Sequence, residues 1–130
     1  MQENVKDAQL DPVRAEIASL AEGTALLDRF GGDEEIMREV IDKFIEVIAE
    51  ERAGLVLEKD EDADRTACAL RVHSLASSFS PFGLADLSRR CIELESVLLR
   101  GDPDVARAGL REIESYLNDF ESTMRRMSLP

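Results

Sequence analysis

Apolar residues in this chain recur three or four positions apart, the spacing of helices buried along one side. Val13, Ile17 and Leu20 make the first such row. Asp11-Pro12 ahead of it reads as an N-cap followed by proline at the first helical position, and Gly23 as its stop. Ala25, Leu26, Leu27 and Phe30 form a second short segment, halted by Gly31-Gly32. Asp33 then caps a long helix, with Glu34 and Glu35 against its positive end. Ile36, Met37, Val40, Ile41, Phe44, Ile45 and Ile48 give that helix a wide apolar stripe, and it is expected to run to about Leu57. The charged stretch from Lys59 to Asp64 reads as a turn or the start of the next helix.

The next long helix is expected from about Asp62 to Phe79, with Cys68, Val72, Leu75 and Phe79 facing inward. Pro81 cannot continue its hydrogen-bond ladder, and Gly83 allows a tight reversal. Leu84, Leu87, Cys91, Leu94 and Leu98 follow in regular spacing up to Gly101. Asp102-Pro103 caps a last helix, whose row is Leu110, Ile113, Leu117, Phe120, Met124 and Met127. Phe79 and Phe82, flanking Ser80-Pro81, read as plugs at the end of a core. Narrow rows of this kind imply knobs-into-holes packing, and short connections force neighbours to run up and down. The expected fold is all-α: an antiparallel up-down four-helix bundle with short N-terminal helices covering one end. Residues 1–10 are polar and expected to be flexible, leaving 11–130 as one domain.

Composition narrows the partners. The net charge of -12 and pI of about 4.5 repel phosphate backbones and anionic membranes, so neither nucleic acid nor lipid is an expected partner. The same charge suits a basic docking surface. No apolar run approaches the about 20 residues of a membrane span. No basic region followed by an apolar stretch marks the N-terminus, so the expectation is a cytoplasmic monomer. Cys68 and Cys91 both fall in apolar rows without Cys-x-x-Cys spacing and read as buried, reduced thiols. With a single histidine, His73, a two-histidine metal site is excluded, and no metal or cofactor is expected.

His73 lies one position from the inward Val72, and its same-face neighbours are Ala69, Leu70, Ala76 and Ser77. Two readings follow from spacing. The ring is either partly buried against a neighbouring carbonyl or carboxylate, or faces solvent on a smooth patch that another protein can approach.

The run His73-Ser74-Leu75-Ala76-Ser77-Ser78 through Gly83, then Leu87, Cys91, Leu94 and Glu95, resembles the histidine-containing phosphotransfer (HPt) domain. Leu26 to Ile36 is similar to that family's N-terminal segment, so the resemblance extends from about residue 24 to 127. It implies a phosphorelay intermediate. His73 would take a phosphoryl group from an aspartyl phosphate on a response-regulator receiver domain and pass it to another receiver. The partners would be such receivers or a hybrid histidine kinase, with Mg²⁺ on the receiver only. Glu95 stands where the family often has an acid or amide near the histidine. It would hold Nδ1–H and direct Nε2 outward, although spacing alone also fits a solvated carboxylate.

This sequence departs from the family pattern at two positions. The lysine expected three after the histidine is Ala76, and the glycine four after is Ser77. Arg71, Arg89 and Arg90 are therefore the candidates for neutralising phosphate, and spacing does not settle where they point. The expected docking face is Ala69, Ala76, Ser77 and Ser80, with Ile17 and Leu20 from the N-terminal helices. Nothing resembles a glycine-rich nucleotide site, so no kinase activity is expected. The alternative function is an adaptor that keeps the bundle and binds a receiver or kinase without phosphotransfer.

Overall fold

Asp11 opens the first helix as expected: its side chain accepts from Arg14 N at 3.1 Å, and Pro12 occupies the first turn. The computed structural model describes residues 11–55, 57 and 62–128, and every element among them is helical. The expected flexible stretch 1–10 lies outside these residues. In chain order the helices are α1 (Pro12–Ser19), α2 (Ala25–Arg29), α3 (Glu34–Ala53), α4 (Asp62–Ser78), α5 (Ala85–Arg100) and α6 (Pro103–Ser128). A single 3₁₀ turn, Ser80–Phe82, joins α4 to α5.

The stops are local chemistry. Gly31 and Gly32 take positive φ after α2, and Gly32 N reaches back to Leu27 O at 3.0 Å. Asp33 then caps α3 through Ile36 N at 3.1 Å. That helix ends at Ala53, four residues before the expected Leu57. The last turn tightens at the C-cap Gly54, where Gly54 N and Leu55 N donate to Glu51 O and Arg52 O at 3.1 and 3.0 Å, and the Arg71 guanidinium fills the space a Cβ would need. Leu55 turns into the core beyond it. Of the charged 59–64 segment, residues 62–64 belong to α4, and 59–61 lie outside the described residues.

The long helices pack in a closed sequence: α3 against α4, α4 against α5, α5 against α6, and α6 against α3. Helix α1 lies on α5 and α6, while α2 touches α3 and the 3₁₀ turn. The predicted rows of α4, α5 and α6 are buried, except that Met127 is only partly so. In α3 the stripe is narrower than expected. Met37, Ile41, Phe44 and Ile48 are buried, Val40 and Ile45 are partly covered, and Ile36 is exposed. All five phenylalanines meet at one end of the core. Phe44, Phe79, Phe82 and Phe120 lie with ring centroids 4.7–5.6 Å apart, and Phe30 edges onto Phe82 at 6.1 Å. Phe79 and Phe82 are thus core plugs, as their position suggested.

Helix α1 is fastened to α6 by a polar cluster. Arg14 pairs with Asp119, donates to Ser115 Oγ at 3.0 Å and stacks 5.4 Å from the Tyr116 ring centroid. Tyr116 Oη donates to the Asp11 carboxylate at 3.3 Å. Burial, then the nearby carboxylates of Glu112 and Asp11, push the phenol above its ordinary pKa.

Candidate functional site

Helix α5 has no side-chain cap of its own, because Leu84 occupies the N-cap position. Glu16 of α1 supplies one from a distance. Its two carboxylate oxygens accept from Asp86 N at 2.9 Å and Leu87 N at 3.0 Å, satisfying two of the helix's orphan amides. At the other end, Arg65 of α4 donates to the carbonyls of Val97 at 3.1 Å and Gly101 at 2.6 Å. Between these, Ser88 Oγ donates to Ala76 O at 2.9 Å, across the α4–α5 seam. Glu16 thus ties the start of α5 to α1, while Ser88 near that start and Arg65 at the far end fix α5 against α4.

That clamp places Glu95 beside His73. Nδ1 lies 3.0 Å from Glu95 Oε1, with the imidazole 62% exposed and Glu95 26% exposed. A carboxylate can only accept, so the proton of the neutral ring sits on Nδ1 and Nε2 keeps its lone pair. Of the two orientations that spacing allowed for His73, the structure has the exposed one. The ring also meets the neighbouring carboxylate that the other reading supposed.

His73 borders a groove of about 530 Å³ between α4, the 3₁₀ turn and the first half of α5. Ala76, Ser77 and Ser80 line one side, Ala85, Ser88, Arg89 and Ile92 the other, and Gly83 and Leu84 the closed end. Small side chains keep it open. Gly83 has φ 72°, and a Cβ there would stand 1.8 Å from the Arg29 guanidinium, so both conformation and space call for glycine. Ser78 sits behind the groove, its Oγ donating to Ser74 O at 2.9 Å.

The three candidate arginines separate. Arg71 turns to the end of α3, with Nη1 3.5 Å from Glu51 and 3.4 Å from Glu50 O. Arg90 turns to α6, 3.1 Å from Glu112. Arg89 alone of the three lines the His73 groove, where it pairs with Asp86 at 2.6 Å. The expected docking face also needs correcting. Ser77 and Ser80 are exposed, but Ala69 is buried, and Ala76 shows only an edge in the groove wall. Ile17 and Leu20 are 2% and 5% exposed, because α1 spends its apolar side on the core and leaves none for a partner.

Two exposed apolar residues outside the expected docking face, one of them the same-face neighbour Leu70, flank His73 and Glu95. Leu70, three before His73, is 65% exposed, and Ile92, three before Glu95, is 56% exposed. Helical spacing from the two site residues was the available signal. Cys68 and Cys91 are buried, and burial pushes the Cys91 thiol up to about 12, so it stays protonated and unreactive at neutral pH.

Among the described residues no helix is long and apolar enough to cross a membrane. No curated protein and no solved structure matches the chain. The family model of the Hpt domain matches residues 35–123, a span that holds α4, α5, His73 and Glu95. Hpt domains are phosphotransfer modules of two-component phosphorelays rather than kinases, and they interact with receiver domains and kinases. With the match covering most of the chain, this protein belongs to the histidine-containing phosphotransfer family.

Proposed function

We propose that this protein is a phosphorelay intermediate that accepts a phosphoryl group on His73 from a receiver aspartyl phosphate and passes it to another receiver. The observation that carries this is the exposed imidazole with Nδ1 3.0 Å from Glu95. In the step, the Nε2 lone pair attacks phosphorus and the phosphorus–oxygen bond to the receiver aspartate breaks, releasing its carboxylate. The ring gains the positive charge, and Nδ1–H, already facing Glu95, is where that charge is stabilised. No proton has to leave the ring. Positioning and charge neutralisation dominate phosphoryl transfer, and the receiver brings its own Mg²⁺ and lysine.

The closed packing sequence of α3, α4, α5 and α6 supports an antiparallel up-down bundle as the scaffold. The docking face in this reading is Ser77, Ser80, Leu70 and Ile92 around His73. Burial of a modest apolar patch suits a transient complex. A cytoplasmic monomer is the setting in which such a relay works.

One observation favours the second reading, a non-phosphorylated adaptor. Ala76 stands in the groove wall where the family carries lysine. Incubation with phosphorylated receivers separates the two. Acid-labile, base-stable label on the wild type but not on His73→Gln is the expected result. Binding to several active receivers without label would sink the relay reading and leave the adaptor.

A further inference from the structure

Phosphorylation of His73 would put about -2 charge onto a ring already facing a carboxylate, on a chain of net charge -12. That charge needs a cation from this chain once the receiver has left. Arg71 and Arg90 face α3 and α6. Arg29 comes against Gly83 at the edge of the groove without lining it. Among the described residues, Arg89 is the one lysine or arginine that lines the groove with His73.

We infer that Arg89 is the phosphate-binding cation of this site, held in reserve by Asp86. The pair spans one helical turn of α5, Nη2 to Oδ1 at 2.6 Å, with side chains 63% and 33% exposed. An exposed pair of this kind is weakly held. A phosphoryl group on Nε2 offers the guanidinium more charge and more acceptor oxygens than one carboxylate does. The arginine therefore exchanges partners when His73 is phosphorylated and returns to Asp86 when the group leaves. The wall opposite, Ala76 and Ser77, is made of small side chains that leave the groove open. The inference rests on His73 being the phosphorylated residue, as proposed above.

Phosphoramidate provides a test that needs no receiver. Its phosphorus–nitrogen bond breaks as Nε2 attacks, and ammonia leaves. The ³¹P NMR titration of the phosphohistidine then reports the charge around the phosphoryl group. In Arg89→Ala the titration midpoint should rise by about half a pH unit, as loss of an adjacent cation requires. Arg89→Lys should restore part of the shift, and Asp86→Asn should move the midpoint the other way. Transfer from a phosphorylated receiver should slow about tenfold in Arg89→Ala. An Arg89→Ala midpoint equal to wild type overturns the inference. Label from phosphoramidate but from no receiver would sink the relay reading alone, and the midpoint shift would still decide Arg89. If His73 is labelled by neither donor, both fall.

Discussion

Ser77 and Ser78 are neighbours in the chain, yet they line different grooves. The same is true of Ser80 against Pro81, and of Gly83 against Phe82. Each groove holds about 530 Å³. The Ser77 groove carries an imidazole, an arginine and three serines between α4 and α5. The Ser78 groove runs along α3, lined by Val40, Phe44, Val47, Pro81 and Phe82 at the flank of the aromatic core, with Glu39 and Lys43 beside them. One step along a helix turns a side chain by roughly 100°, enough to send chain neighbours into different grooves. Space alone therefore does not mark the functional groove. What sets the Ser77 groove apart is an exposed imidazole held by a carboxylate of a second helix.

The contrast between the two grooves can be tested by substitution. The largest effect belongs to His73→Gln, which should abolish phosphoryl label while leaving helical circular dichroism unchanged, since the ring is exposed. Ser77→Arg should weaken receiver binding tenfold or more, about 1.4 kcal/mol, measured by titration calorimetry. Unchanged affinity in that variant would move the docking face elsewhere.

Glu16→Ala removes the distant cap that holds the first turn of α5, one wall of the His73 groove. A loss of about 1–2 kcal/mol is expected, read from urea unfolding. Amide exchange should quicken at Asp86 and Leu87 but not in the middle of α3. Equal protection at both places would deny the cap its role.

Cys91 lies buried in the same wall, and its effect is confined to alkaline pH. Burial raises the folded thiol from 9.0 to about 12. Between those values the unfolded chain has lost a proton that the folded chain keeps. This contribution to stability is therefore full below about 9 and lost progressively as pH rises toward about 12. Urea midpoints should fall over that range in the wild type and fall less in Cys91→Ala. The smallest effect is expected from Lys43→Glu, on the rim of the other groove. Receiver-to-His73 transfer should stay within about twofold of wild type, a surface change away from the site. A large loss would make the second groove part of the docking surface.

Leu87, Cys91, Leu94 and Leu98 show why most of the helical fold was legible. Each obeys a spacing that only one face of one helix can satisfy, and all four are buried. Ile36 shows the limit of that reasoning. It belongs to the same apolar pattern as Met37, yet lies at the first turn of α3, where little packs over it, and it is exposed. Ile17 and Leu20 erred the other way: their spacing showed an apolar face, but not whether the bundle or a partner would cover it. At the site, His73 was legible as the chain's single imidazole. Glu95 rested on resemblance, since it stands 22 positions away on another helix. Ile92 and Leu70 were within reach of spacing, while the directions of Arg71, Arg89 and Arg90 were not.

Where helices start, which side of most of them is buried, and that one imidazole stands among small neighbours were all readable from the amino-acid order alone. Those properties depend on caps, breakers and neighbours within a turn or two, so they are written locally. That Glu16, 70 positions before Asp86, caps α5 follows only from the folded packing. It also decided that Arg65 closes the other end of that helix, and that of three arginines one shares a groove with His73. Charged side chains carry no periodic signature of their partners. Their pairing follows from how the apolar rows dock, and for α5 that docking sets the 3.0 Å between Glu95 and the imidazole.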